Sequence, residues 1–400
     1  MTYYVLIAFC VIILLAYLFD TTAKYTRIPG VILLIATGMF INYLASSFKI
    51  GIPDMSGLLP IMGTLGLILI VLEGSLDLAI RRDKSRLIIG SVSSAILLFS
   101  VMVGVFTYVA VHFLHYDLQA SLLNIIPFAV ISSAVAIPSA SGLKPEDREF
   151  VTYESSISDI IGILAFDFIL LNGSSLGTGV LRFIAELIVT FIVSVLLSAG
   201  LAILLHKISH HVKYVIIMTV IVLVYALAKL AHLPSLLVVL IFGLVMNNNA
   251  LFQNAFSAKW INFDEFNADL GAFKSIVYEL TFVIRCFFFI LFGFYTRLSD
   301  LLNLHNLMIA ASITASIFIF RALFFKIVLR LPLNPLLYFA PRGLITILLF
   351  LGIPSILLLP FINVGIVTQV IFLTILMMTF GNMIFSQDQT TKAPGTPLRH

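Results

Sequence analysis

Charge is what this sequence has least of. Asp, Glu, Lys and Arg make up 10% of its 400 residues, hydrophobic residues make up 61%, and the mean hydropathy is +1.14. A soluble domain carries roughly 25% charged residues, so a water-soluble globule is excluded and an all-α polytopic membrane protein remains. Cysteine is also scarce. Cys10 and Cys286 both fall in apolar runs, which excludes a disulfide framework or a thiolate metal cluster and leaves them as packing residues. No His-Glu-x-x-His zinc motif occurs, so no enzyme, resident metal or cofactor is expected, and no nucleic-acid partner either. The first twenty residues lack a basic leader and a small-residue cleavage site, so they are read as a retained membrane helix.

What is present is long apolar runs. Thirteen reach membrane-spanning length: about 3–19, 28–46, 58–80, 88–114, 119–140, 151–171, 179–205, 213–231, 233–249, 273–296, 306–329, 334–352 and 365–386. An odd number puts the termini on opposite sides. With the N-terminus outside, only Lys49, Arg182, Lys229 and Arg297 of the 23 Lys and Arg fall outside. Arg285, Arg321 and Arg342 lie within spans, and the other sixteen, including Arg81, Arg82, Lys84 and Arg86, fall inside. That bias follows the positive-inside rule and makes the C-terminus cytoplasmic. Residues 387–400 read as a short polar tail, and the transmembrane unit as 1–386.

Six spans, a bridging seventh and six more give two inverted repeats, the second upside down. Ser132-Ser133-Ala134-Val135-Ala136-Ile137-Pro138 in the fifth span and Ala340-Pro341-Arg342-Gly343 in the twelfth read as broken helices at membrane depth. Broken helices persist there only where they line a cavity or are buried in protein, and a matched pair marks a binding site.

The sixth span is the most telling, because Glu154-Ser155-Ser156-Ile157-Ser158-Asp159 sets two acids and three hydroxyls in hydrocarbon. Ionisable residues at that depth are costly and mark ion or proton paths. At about 100° per residue Ser155 shares a face with Asp159, whereas Glu154 points about 140° away, so the two acids can divide labour. Asp159, the Ser155 and Ser158 hydroxyls and the region of Ser132 and Ser133 form an oxygen-rich nest suited to a hard cation. Burial and neighbouring positive charge act in opposite directions on such a carboxyl, which can hold it near cellular pH. Arg285 either pairs with one of the acids or snorkels to an interface. Arg342 either neutralises the carbonyl ends of half-helices or is a membrane-edge charge. Glu73 is either an ion-entry site or an interhelical hydrogen-bonding group, and Asp167 either part of an outer funnel or an edge acid. His206, His210 and His211 read as a solvated basic loop.

These segments, in this order, resemble the monovalent cation:proton antiporters, the sodium/proton exchangers of bacteria and eukaryotes. Glu154-Ser155-Ser156-Ile157-Ser158-Asp159 is similar to the family's Glu-Ser-x-x-Asn-Asp, with Ser158 in place of Asn. Ser132-Ser133-Ala134-Val135-Ala136-Ile137 is a weak match to Thr-Asp-Pro-Val-Ala-Val, with Ser133 in place of its aspartate. Phe320-Arg321-Ala322-Leu323, Arg342-Gly343 and Leu72-Glu73-Gly74-Ser75-Leu76 resemble further family stretches. The resemblance implies exchange of Na⁺, Li⁺ or K⁺ for H⁺, a Glu154–Arg321 pair, and a homodimer in a bacterial or archaeal cell membrane. It also implies that core helices (88–171 and 306–386) move against a dimerising scaffold (3–80 and 179–296). With no second acid at position 158, one-for-one electroneutral exchange is expected. A cation-coupled organic solute symporter is the alternative.

Overall fold

The computed structural model describes residues 2–26, 28–48, 57–78, 84–173, 176–207, 213–231, 233–248, 263–330 and 332–385. Lys49, Arg81, Arg82, His210, His211 and the 387–400 tail lie outside them, as do the side chains of Arg182 and His206. Among the described residues all regular structure is helical. In chain order the helices are α1 (Thr2–Thr26), α2 (Gly30–Ser47), α3 (Leu58–Asp77), α4 (Ser85–His112), α5 (Leu118–Ala129), α6 (Ser133–Ser139), α7 (Pro145–Asn172) and α8 (Leu176–Lys207). They continue with α9 (Lys213–Leu230), α10 (Ser235–Asn247), α11 (Phe263–Tyr295), α12 (Leu298–Leu301), α13 (Leu304–Phe324), α14 (Leu344–Leu351) and α15 (Val364–Phe385).

Each of the thirteen apolar runs becomes a helix or a broken pair. Nine described helical segments are long and apolar enough to cross a membrane, with shorter apolar helices at Phe9–Thr22 and Ser235–Asn247. The other two spans are α7, with its acids, and the interrupted twelfth. One boundary differs, because α11 begins at Phe263, ten residues before its apolar run. Cys286 is buried, but Cys10 is exposed on α1, so only one of the two cysteines packs.

Local sequence sets the helix ends near the site. Asp117 caps α5 by accepting from the Gln119 and Ala120 amides. Pro145 opens α7 at a position that needs no N–H, Glu146 and Asp147 sit at its positive end, and Gly173 closes it at φ +60°. The helices gather into two packed groups. α2 and α3 pack on α11, and α10 joins α3, α8 and α9; separately, α4, α5, α6 and α7 pack together, and α13 packs on α15 and α4.

The two interruptions cross. The chain is extended between α5 and α6 and again before α14, and the Ser132 amide donates to the Pro341 carbonyl at 2.9 Å. A Cβ on Gly343 would lie 2.7 Å from the Ser132 hydroxyl, so the crossing requires glycine for its close approach. Six spans lie between the breaks, an even number, so the two broken segments run through the membrane in opposite directions.

Candidate functional site

In hydrocarbon every backbone amide needs a partner, and α7 supplies most of those for the first break. Ile131 N donates to Ser158 Oγ at 2.9 Å, Ser133 N donates to Asp159 Oδ2 at 3.2 Å, and Ser132 N takes the Pro341 carbonyl. Gly162 lets α7 approach this closely, since a Cβ there would collide with Val130.

The second break is held by arginines. Arg342, 1% exposed, donates to the Phe128 carbonyl at 2.7 Å and the Ala340 carbonyl at 2.8 Å, and reaches the Ala129 carbonyl at 3.5 Å. It therefore neutralises the carbonyl end of α5 and is no membrane-edge charge. Its own amide donates to Thr374 Oγ1 at 3.0 Å. Arg321 donates to both Glu154 oxygens, at 2.8 and 2.6 Å, and to the Leu336 carbonyl at 3.0 Å. The Ser94 hydroxyl donates to the same carboxylate, and the guanidinium lies over the Phe325 ring.

Asp159 is 3% exposed, and it is served differently. Oδ2 accepts from the Ser133 amide, with the Ser133 hydroxyl beside the same carboxyl. Oδ1 has no partner among the described residues, and neither do the hydroxyls of Ser156 and Ser132. Asp159, Ser156 and Ser133 face a small cavity with Gly74, Ser75 and Leu78 of the α3 end and Leu240 of α10. Its open volume of about 10 Å³ is of the order of one water molecule.

The structure thus brings Ser133 to the cavity with Asp159, but not Ser155 or Ser158. Ser155 donates to the Val151 carbonyl of its own helix at 2.7 Å, and Ser158 is occupied with Ile131. Ser156, which the sequence reading passed over, stands there instead. At three residues' separation it is only about 60° from Asp159 on the helix, so periodicity alone did not separate it from Ser155.

Glu73 lies near Arg285, Asp77 and Thr281. Arg285 is half-buried and donates to the Ala134 carbonyl at 3.2 Å, tying α11 to α6 next to the cavity-lining Ser133. Asp167 is neither a free edge acid nor an open funnel residue: it accepts from Lys229 Nζ at 3.1 Å. Among the described residues no cluster of three His, Cys, Asp or Glu side chains that could hold a metal ion occurs. Asp159 is the one acid among the residues that line the cavity.

Comparison with known proteins agrees with this geometry. The chain is similar to two structures of the sodium proton antiporter MjNhaP1 from Methanocaldococcus jannaschii. One, at pH 8, has a TM-score of 0.69 at 21% identity, covering 95% of this chain and 98% of that one. The other, from an electron-microscopy map, has a TM-score of 0.67 at 19% identity, covering 96% and 95%. At that identity the likeness shows the fold. No curated protein matches the sequence. A family profile described as sodium/hydrogen exchanger, transmembrane, matches residues 10–386, nearly the whole chain. The profile spans more than nine-tenths of a chain built around two crossed broken helices, and the chain belongs to the sodium/hydrogen exchanger family.

Proposed function

We propose that this protein exchanges a monovalent cation, sodium first, for a proton, and that both occupy Asp159 in turn. The observation that carries the reading is the Asp159 Oδ1 atom, buried, without a partner, and facing a cavity that Ser156 and Ser133 also line. A buried polar atom left without a hydrogen bond is costly, and here either visitor removes that cost. A proton neutralises the carboxylate. A small dehydrated cation takes Oδ1 with the serine oxygens around it, the ligand type that hard cations prefer.

Exchange follows from what α7 can carry across the membrane. With either ion bound, the Asp159 site is neutral; empty, it would take an unpaired charge through hydrocarbon, which is strongly disfavoured. The bundle of α4–α7 with α13–α15 then alternates between the two sides against the bundle of α1–α3 and α8–α11. The crossing of the broken helices travels with Asp159. Glu154 and Arg321 keep that moving unit intact, Ser158 pins the first break, Ser132 sits at the crossing, and Arg342 holds the α5 carbonyls. Glu73, Asp77 and Arg285 lie near the inner approach.

One-for-one exchange is the stoichiometry the charges favour, because Glu154 is matched by Arg321, Asp167 by Lys229, and Asp159 is the one acid that lines the cavity. The size of the cavity favours a small alkali ion and disfavours an organic solute, the cargo of a symporter. A bacterial or archaeal cell membrane is the proposed site, and a homodimer the proposed working form.

The test is transport by the purified chain in vesicles with an imposed pH gradient. Sodium, or lithium, collapses the gradient, potassium does so less well, and Asp159→Asn abolishes the response. A wild type silent to every cation, or an active Asp159→Asn, contradicts the proposal.

A further inference from the structure

The surroundings of Asp159 differ on its two sides along α7. The loop charges make α7 run from inside to outside, so residues preceding Asp159 lie inward and residues following it lie outward. The cavity at Asp159 reaches mostly inward: Ser156 precedes it on α7 and Gly74, Ser75 and Leu78 belong to the inner end of α3, with Ile160, the next residue on α7, at its outward rim. On the outward side stands Asp167. Eight residues on, it lies about 12 Å along the helix axis.

Asp167 is a buried acid, 7% exposed, and its partner is Lys229 Nζ at 3.1 Å. Lys229 is in the last turn of α9, with its side chain 53% exposed. α9 packs with α8 and α10, in the bundle that does not contain Asp159. The pair therefore joins the ion-bearing helix to the opposite bundle. The other ion pairs among the described residues do not: Lys84–Glu149 joins α4 to α7, Arg321–Glu154 joins α13 to α7, and Lys213–Asp269 joins α9 to α11, each within one bundle.

We infer that the Lys229–Asp167 ion pair is the outer closure of the exchange path, and that Lys229 is a positioning residue of the transport cycle. The inference rests on the alternating-access reading above and adds to it a residue and a side. In this structure the pair holds the outer half of α7 against α9, while the small cavity at Asp159 is lined mostly from its inner side. To face outward, α7 must slide past α9 and part the pair. A half-exposed lysine suits that duty, because water and salt solvate it on release and such pairs contribute little net stability. The burial of Asp167 suits it too, because the acid has a definite seat for the lysine to return to. Lys229 is one of few cations on the outer side, where the positive-inside bias otherwise keeps them away.

The test uses a reporter cysteine at Ile160, a cavity-lining residue with no ion-binding duty assigned to it, in full-length protein with Cys10 and Cys286 replaced by alanine. In sided vesicles, a membrane-impermeant thiol reagent labels Ile160→Cys mainly from the inner face. Lys229→Gln or Asp167→Asn raises outer-face labelling several-fold and lowers inner-face labelling, and Lys229→Arg leaves both unchanged. The swapped pair, Lys229→Asp with Asp167→Lys, returns the labelling toward the parent pattern. The apparent affinity for sodium added outside rises in the two neutral variants and falls for sodium added inside, a sidedness that a purely stabilising contact does not produce. Labelling that ignores both neutral variants, or a swap that restores nothing, overturns the inference. If Lys229→Gln does not fold, Asp167→Asn decides, since it removes the buried charge that needs the lysine. Because labelling requires no transport, a labelling shift in a protein that fails to exchange sodium would keep the closure and reject the exchange reading; the reverse result would do the opposite.

Discussion

Glu154 and Asp159 lie five residues apart on α7 and are almost equally buried, at 1% and 3% exposed. Around Glu154 every oxygen is engaged: two bonds from Arg321, one from the Ser94 hydroxyl, and Phe325 stacked beneath the guanidinium. Around Asp159 one oxygen is held by an amide and the other faces a small cavity beside two serines. The acid proposed to hold shape is saturated by its protein, and the acid proposed to exchange ions keeps one oxygen unengaged. Helix rotation separates the two duties by about 140°, which lets one turn and a half of sequence serve both.

The comparison breaks most decisively if the two acids are made to trade consequences. Asp159→Asn is expected to reduce exchange to background while thermal melting stays close to wild type, because the amide keeps an oxygen for Ser133 N. Glu154→Gln is expected to act on stability, at a cost of about 3–5 kcal/mol, since it strands Arg321 in the interior. Thermal unfolding in detergent measures this. Replacing both partners, with Glu154→Leu and Arg321→Met, is expected to recover much of that loss.

Smaller changes sharpen the comparison. Ser158→Ala leaves Ile131 N buried without an acceptor, for about 1–3 kcal/mol, and shows as a lowered melting temperature. Ser156→Ala and Ser155→Ala, two neighbouring hydroxyls on the same helix, form the finest test. The first is expected to weaken apparent sodium affinity a few-fold in concentration-dependent transport, and the second to leave it unchanged, because Ser155 is spent on the Val151 carbonyl. A larger effect of Ser155→Ala would mean that the cation sits on the Ser155 side.

Much of the architecture was legible in the residues. Thirteen apolar runs set the spans, and the polar interruptions at Ser132-Ser133 and Pro341-Arg342-Gly343 marked the two breaks, because only a special setting tolerates them in hydrocarbon. The site was less legible. A helical wheel gives the angle around α7 but not which neighbour lies at that angle, so Ser155, about 40° from Asp159, was preferred, whereas α3 packs against Ser156. Arg342 was recognisable as a buried charge, yet its partners are main-chain carbonyls, which no side-chain pattern announces. Asp167 and Lys229 are 62 residues apart, and nothing local to either indicates the other.

The most direct measurement is proton release when sodium is added to weakly buffered, purified protein in detergent, with Asp159→Asn alongside. One seat shared by two ions predicts that sodium drives protons into solution from the wild type and none from the variant. Sodium binding without proton release, or release of the same size from Asp159→Asn, would contradict it.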